Sequence, residues 1–232
     1  MGEPVKSRRY DNSRRQAQAR ATRADVVQAA RTLFLQRGYP ATTVEAIGAA
    51  ADVPLATVYR LFGSKRGILS AVLDVSFVGD DEPVALHDPP LARAAAAESD
   101  PRRLLAGYAR LAREVLDRSG PVQHVLGSAA AVDTEVAELL ETTKRQRLTG
   151  QSRVARALST RGWLAEGLDE NEALDIIYTL MSPEVHRILT TDRGWSPDHY
   201  EHWLAHTLSA ALLPTNKDHV IRQHRTKITK SD

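Results

Sequence analysis

The chain has 232 residues and a mass of 25.5 kDa, which is enough for one or two domains with a buried core. Hydrophobic residues make up 42% and charged residues 26% of the sequence, which excludes a wholly disordered or fibrous chain. Cysteine is absent, so disulfide scaffolds, cysteine-ligated metal sites and thiol nucleophiles are also excluded. No apolar run approaches the ~18–20 residues of a membrane helix, and the N-terminus lacks the apolar segment of a secretory signal. We therefore expect a soluble, cytoplasmic protein.

The net charge of +2 conceals a strong asymmetry along the chain. Residues 1–66 carry 12 Lys and Arg against 5 Asp and Glu, whereas residues 67–214 carry 14 against 22 and residues 215–232 carry 5 against 2. A basic N-terminal part next to an acidic body indicates that one end of the chain binds a polyanion. A solvated basic tail on an ordinary helical domain would give the same charges, so the asymmetry does not decide between the two.

Four helices are predicted in the first third of the chain, because apolar residues recur there at helical spacing. They cover residues 20–37, 44–51, 54–62 and about 65 onward. Either Thr42 or Thr43 can cap the second helix, and Thr42 has the capping-box spacing to Glu45.

The rest of the chain predicts a helical body. Residues 79–101 contain four of the 11 prolines and clustered acids, which is typical of an irregular connection. Helices are then predicted over residues 101–118, 121–131, 133–161, 169–191 and 197–213. Pro183 predicts either a kink or a new helix capped by Ser182. Residues 214–232 are polar and basic, and are expected to be disordered.

Residues 44–62 have the spacing of a helix-turn-helix motif. Winding the second of these helices at about 100° per residue gives two opposite sides. The buried side holds Pro54, Val58, Leu61 and Phe62, and the outer side holds Ala56, Arg60 and Gly63. Small outer residues let such a helix enter a major groove, and Arg60 can form a bidentate contact with a guanine. Thr57 and Tyr59 can bond phosphate or base, while Lys65 and the capping threonines can bind the DNA backbone.

Residues 23–73 resemble the DNA-binding domain of TetR-type (tetracycline-repressor-like) regulators. The resemblance is carried by Gly38-Tyr39, Thr42-Thr43-Val44, Ile47, Val53, Thr57, Tyr59, Phe62, Lys65 and Ile68-Leu69. Asp52, Pro54 and Leu61 stand where the family commonly has glycine, serine and histidine, so the base preference of relatives cannot be transferred. Residues 171–213 are also similar to the C-terminal end of many such regulators.

The resemblance implies an all-α homodimer that regulates transcription, most often as a repressor released from its operator by a small molecule. It implies a basic flexible arm over residues 1–20, a three-helix DNA-binding domain over 21–66, a helical regulatory and dimerisation domain over 67–213, and a basic disordered tail over 214–232. The operator is expected to be an inverted repeat in double-stranded DNA. No cofactor and no membrane partner are expected.

Candidate residues fall into three sets. The expected DNA contacts are Thr42, Thr43, Pro54, Leu55, Ala56, Thr57, Tyr59, Arg60 and Lys65, with arm residues Arg8, Arg9, Arg14, Arg15, Arg20 and Arg23 along the phosphates. The apolar face of the last helix predicts a dimer interface of Tyr200, Trp203, Leu204, Thr207, Leu208 and Ala211. The ligand-pocket candidates are Tyr108, His124, Met181 and His186, each of which fits ordinary core or surface as well.

Other functions receive little support from the sequence. His199, His202 and His206 lie close to one helical line, but a polar margin beside the apolar face accounts for them, and no metal site is predicted. The nucleophile-elbow, phosphate-loop, dinucleotide and zinc-protease motifs are absent, so no enzyme is predicted. Two alternatives stay open: an all-helical enzyme with an accessory DNA-binding module, and an architectural DNA binder without an effector.

Overall fold

The computed structural model describes residues 6–79 and 98–214, with side chains described from residue 15 onward. All regular structure in these two ranges is helical, which confirms the predicted all-α class. Most of the predicted connection over 79–101 and the tail from residue 215 lie outside the described residues. Within the described ranges, no helix combines the length and the apolar character that a membrane crossing requires.

The helices of the described ranges differ from the prediction mainly at their ends. They are α1 Lys6–Arg37, α2 Val44–Ala50, α3 Leu55–Phe62, α4 Lys65–Val78, α5 Pro101–Ala130, α6 Thr134–Thr160, α7 Glu170–Leu180, α8 Pro183–Arg187 and α9 Pro197–Leu212, with a π-helical turn Ile188–Asp192 after α8. The first helix begins well before the predicted residue 20, so residues 6–20 are helical where a flexible arm was expected. Their Arg, Gln and Ala residues have high helix propensity, although they form no apolar face.

The described residues divide into two compact units. The first unit comprises the residues up to 79 together with Pro121–Leu140, and the second comprises residues 98–120 and 141–214. Because the divisions fall inside them, α5 and α6 contribute residues to both units. The core of the first unit includes Val26, Phe34, Tyr39, Ile47, Val58, Leu69, Val72, Leu126 and Val136.

The two threonines before α2 have different roles. Thr43 caps the helix, and its side chain accepts a hydrogen bond from a backbone N–H three residues later at 3.1 Å. Thr42 is fully buried, and its hydroxyl donates to the carbonyl oxygen of Gly38 at 2.8 Å. The predicted capping box of Thr42 with Glu45 is therefore wrong, and burial removes Thr42 from the candidate DNA contacts. The Gly38 carbonyl lies just beyond the end of α1, and the buried hydroxyl of Thr42 gives it a hydrogen-bond partner.

Pro121 lies inside α5, which continues through it. The sequence predicted separate helices over 101–118 and 121–131, so this prediction is wrong. Proline removes one backbone N–H donor and usually ends or bends a helix. Here Val122 and Leu126 continue the buried face of the helix beyond the proline, and their packing favours a single element.

Pro183 is the first residue of a new helix, which confirms one of the two predicted alternatives, a new helix capped by Ser182. Ser182 is its N-cap, and the Ser182 hydroxyl accepts a hydrogen bond from the Val185 N–H at 3.2 Å. The single helix predicted over 169–191 is thereby divided into α7, α8 and the π-helical turn.

The second unit has its own core, to which α5, α6, α7 and α9 contribute. Its buried side chains include Leu105, Leu116, Val154, Leu158, Ile177, Tyr200, Leu204, Leu208 and Leu212. The three tryptophans of the chain, Trp163, Trp195 and Trp203, also belong to this unit.

The apolar face of α9 packs into this core rather than facing outward. Tyr200, Leu204 and Leu208 are fully buried within their own chain, so they cannot form the predicted dimer contact. Of the predicted interface, Trp203 and Thr207 are partly buried, and Ala211 is exposed. An apolar helix face indicates that something covers it, but not whether the cover comes from the same chain or from a partner.

The Tyr200 hydroxyl gives a stability prediction. It is buried and has no hydrogen-bond partner among the described residues, and burial raises the pKa of Tyr200 above its ordinary value. We predict that Tyr200→Phe leaves the free energy of unfolding unchanged or raises it by about 1 kcal/mol, because an unsatisfied polar group is removed. Tyr200→Ala should lower it by about 3–5 kcal/mol through the cavity that it leaves.

Urea unfolding of the full chain at one protein concentration measures both changes. A loss of more than about 1 kcal/mol for Tyr200→Phe would show that the hydroxyl is hydrogen-bonded in solution.

Candidate nucleic-acid interface

The turn between α2 and α3 packs directly against α2. Asp52 adopts the left-handed conformation at φ 53°, which Asp tolerates, and the Val53 N–H donates to the carbonyl oxygen of Gly48 at 2.9 Å. A Cβ atom on Gly48 would lie 3.0 Å from the Val53 carbonyl oxygen. Glycine at this position therefore lets the turn return close to α2, and this sets where α3 begins.

The start of α4 is equally close to the end of α3. Ser64 caps α4 by accepting a hydrogen bond from the Gly67 N–H at 3.1 Å. A Cβ atom on Gly67 would collide with the carbonyl group of Phe62, so a side chain at this position would displace one helix from the other. Sequence reasoning missed both Gly48 and Gly67. Their signal was present, because a glycine inside a helical pattern indicates close packing.

Only part of α3 is anchored in the core. Val58 is fully buried, whereas Leu61 and Phe62 are partly buried. The exposed residues are Pro54, Leu55, Ala56, Tyr59 and Arg60, and Thr57 is partly buried. Pro54 was predicted to join the buried stripe, but it is the N-cap and lies before the first turn of the helix. The outward surface of α3 thus combines small, apolar and hydroxyl-bearing residues with one guanidinium group.

Arg23 of α1 holds the C-terminal end of α3. Its guanidinium lies 4.5 Å from the centre of the Phe62 ring, and its Nη1 donates to the carbonyl oxygen of Leu61 at 3.3 Å. These contacts give Arg23 a structural role that the sequence did not indicate. Of the other predicted arm residues, Arg15 and Arg20 lie on α1, and the side chains of Arg8, Arg9 and Arg14 are outside the described residues.

Lys65 lies at the start of α4, next to the exposed surface of α3. Its ammonium group lies 4.1 Å from the centre of the Tyr39 ring, a cation–π geometry. Burial lowers the pKa of Lys65, and the negative charge of Asp133 opposes this shift. Burial also raises the pKa of Tyr39 to about 12, with Asp133 and Glu135 acting in the same direction. The ring and the nearby acids fix the ammonium group of Lys65 at one edge of the motif.

The four ligand-pocket candidates are divided between the two units. His124 is exposed and belongs to the first unit, whereas Tyr108, Met181 and His186 belong to the second. Met181 is buried in the second core, and Tyr108 packs against that core, where burial raises its pKa. The pocket formed by these four residues stays a prediction.

His186 is the buried member of a partly exposed polar network in the second unit. Its Nε2 is 3.0 Å from a carboxylate oxygen of Asp117 on α5, and its ring meets the Tyr200 ring edge-on at 4.8 Å between centres. Arg113 joins this network to α9, with its guanidinium 3.6 Å from Asp117 and 3.1 Å from Glu201. Gly120 lies beside the imidazole, where an added Cβ atom would be at an ordinary contact distance of 3.5 Å from Nδ1.

The three histidines of α9 have surroundings of their own. His199 stacks on Trp195 with ring centres 3.9 Å apart, and His202 and His206 are exposed. Across the described parts of the chain, no three His, Cys, Asp or Glu side chains are placed to hold a metal ion.

A short exposed helix held by a tight turn beside basic side chains is the geometry of a helix-turn-helix DNA-binding protein. Residues 26–72 match the family model described as bacterial regulatory proteins of the tetR family. The chain is 28% identical over 172 residues to the uncharacterized HTH-type transcriptional regulator YdeS of Bacillus subtilis (strain 168), an alignment that covers 73% of this chain and 79% of that one.

Solved structures share the fold at low identity. The SmeT–triclosan complex superposes with a TM-score of 0.65 at 18% identity, covering 84% of this chain and 93% of that one. NalD of Pseudomonas aeruginosa, the secondary repressor of the MexAB-OprM multidrug efflux pump, gives 0.63 at 21% identity over 83% and 95%. Residues 26–72 are therefore similar to the DNA-binding domain of tetR-family regulators, and most of the chain is similar to a protein named as an HTH-type transcriptional regulator.

The His186–Asp117 contact gives a second stability prediction. We predict a coupling energy of about 1–2 kcal/mol from a double-mutant cycle of His186→Phe and Asp117→Asn, because the imidazole is buried and its partner is charged. The exposed pair Lys144–Glu141 is the matched control at 2.8 Å. It should couple by only about 0.3–0.5 kcal/mol.

Urea unfolding at equal protein concentration gives the free energy of unfolding of the wild-type chain, the two single variants and the double variant of each cycle. Equal coupling in the two cycles would contradict a structural role for the buried contact.

Proposed function

We propose that this regulator is a homodimeric repressor that acts in the cytoplasm, binds an inverted-repeat operator and is released from it by a small molecule. The observation that carries the proposal is the α3 surface. Val58 anchors the helix in the core, while Tyr59 and Arg60 remain exposed beside the basic start of α4. A helix presented in this way can enter a major groove without rearrangement of its core.

Different residues of the motif are proposed to recognise the bases and to bind the DNA backbone. The Arg60 guanidinium can bond two acceptors of a guanine, and the hydroxyls of Thr57 and Tyr59 can bond base or phosphate. The exposed cap Thr43 and the ammonium group of Lys65 lie at the margins of the motif, where phosphates run. This division predicts sequence preference from α3 and salt-dependent affinity from its neighbours.

Dimerisation is proposed because one copy of α3 covers only one half-site. An isologous dimer places two copies on successive turns of the same DNA face. Since Tyr200, Leu204 and Leu208 are buried in their own chain, the proposed contact uses the outward side of α9, where Ala211 is exposed and Trp203 is partly buried.

Release by an effector is proposed for the helical body over residues 67–213. Tyr108, Met181 and His186 there supply apolar and hydrogen-bonding groups in one unit, as small-molecule sites require. Two structures of the same fold support a repressor with this kind of control, since one was solved with triclosan and the other is a repressor of an efflux pump. Their low identity leaves the effector of this chain unidentified.

Selection from random duplex DNA at near-physiological salt, with non-specific competitor, tests the proposal. Enrichment of an inverted repeat is expected, and the repeat then serves to screen small molecules for release. An architectural DNA binder is the alternative, favoured by the basic segment of residues 1–66 alone. It would enrich no sequence and would bind random duplex as tightly as any selected site.

Arg60 should carry base specificity. We predict that Arg60→Ala weakens binding to the selected operator by about 1–3 kcal/mol and relaxes the base preference at one position of each half-site. Arg60→Lys is the matched control, because it keeps the charge and loses the planar two-pronged donor. Titration of operator and random duplex in parallel measures the effect. Equal losses on the two DNAs would contradict base recognition by Arg60.

Lys65 should act through the phosphates alone. We predict that Lys65→Ala weakens operator and random DNA to a similar extent and reduces the slope of log affinity against log salt by about one. Lys144→Ala removes an exposed lysine of the second unit and should leave the slope unchanged. The slope is obtained from affinities measured at several concentrations between low and physiological salt. An unchanged slope for Lys65→Ala would show that Lys65 does not contact the phosphates.

A further inference from the structure

Leu55 is an apolar side chain exposed where the motif meets its ligand. It is the first residue of α3, and 38% of its surface is exposed. It takes no part in the hydrophobic core of its unit, although Val58 on the same short helix is fully buried. Tyr59, one helical turn further on, is 44% exposed on the same side. The fold therefore leaves more than a third of Leu55 uncovered at the front of α3.

The residues beside Leu55 also lack hydrogen-bonding side chains. Pro54 is the N-cap of α3 and makes no side-chain cap bond, and Ala56 is exposed. Three consecutive residues at the front of the helix thus offer no side-chain donor or acceptor to a base. On the major-groove edge of the four standard base pairs, the apolar group is the C5 methyl of thymine. An apolar front of this kind is complementary to that group.

The positive charge of the residues around Leu55 favours DNA as the partner that binds the front of α3. Residues 1–66, which contain Leu55, carry 12 basic against 5 acidic residues. A polyanion is attracted to such a segment, and DNA is the polyanion whose groove edges carry both hydrogen-bonding groups and an apolar methyl group.

We propose that Leu55 recognises the C5 methyl group of a thymine in each half-site of the operator, a specificity contact that rests on the operator binding proposed above. Ala56 is small enough for the backbone of α3 to approach the base edge. Arg60 lies on the next turn and contacts a different base. Each half-site then contains one position read by methyl contact and one read by paired hydrogen bonds.

Deoxyuridine provides the test, because it differs from thymidine only by the missing methyl group. Each thymine of the selected operator is replaced singly by deoxyuridine, and the affinity of the full-length protein is measured. One position per half-site should weaken binding about fourfold, the effect of burying one methyl-sized group. Leu55→Ala should bind the thymine and deoxyuridine operators equally at that position.

Leu35→Ala is the matched control, because Leu35 is a leucine of the same unit with 39% exposure on α1. It should retain the fourfold discrimination. Leu55→Gln supplies a second variant whose readout is preference rather than affinity. A glutamine pairs with the acceptor and donor of adenine, so selection with this variant should replace the thymine by adenine.

The outcomes separate this proposal from the proposed function. Binding to an inverted repeat with no sensitivity to deoxyuridine overturns the role of Leu55 and leaves operator recognition intact. Sensitivity that persists in Leu55→Ala also overturns it, and assigns the methyl contact to another residue. Failure of the selection to enrich any sequence overturns the proposed function, and the methyl contact with it.

Discussion

The position of α3 depends on two close backbone approaches, one at each of its ends. At the front, the turn returns against α2 because Gly48 has no side chain, and at the back the first turn of α4 lies against the carbonyl of Phe62 because Gly67 has none. Between these points, Val58 is the fully buried anchor of the helix. An eight-residue helix is too short to be stable alone, so these contacts and not its propensity keep it formed and aimed. The exposure of Leu55, Tyr59 and Arg60 follows from this arrangement.

Charge restricts where DNA can approach. The first 66 residues are strongly basic and the next 148 are acidic, so the attraction is concentrated on the helix-turn-helix segment. Within that segment, Arg23 is engaged with the end of α3, and Lys65 is held over the Tyr39 ring. Arg23 therefore helps to build the surface, whereas the Tyr39 ring positions the charge of Lys65, which is the group proposed to bind a phosphate.

Periodicity and turn chemistry were sufficient to predict the all-α class, the buried position of Val58 and the order of the elements of the motif. They failed for Thr42 and Thr43, because two adjacent threonines are chemically equivalent as helix caps. In the structure Thr43 is the cap, and Thr42 bonds a buried carbonyl group just after α1. They also failed on α9, since its apolar face is the same whether Tyr200 packs in its own chain or against a partner. The His186–Asp117 contact could not be predicted, because its residues are 69 positions apart in the sequence and nothing local relates them.

The placement of the aromatic residues has an optical consequence. Every tryptophan of the chain lies in the second unit, where Trp195 stacks on His199 and meets Trp203 edge-on, while the first unit has tyrosines and no tryptophan. Intrinsic tryptophan emission therefore reports on the second unit. Because the chain has no cysteine, a single introduced thiol on α3 would carry a dye without competing sites. The two units of this regulator can thus be followed at separate wavelengths in one sample.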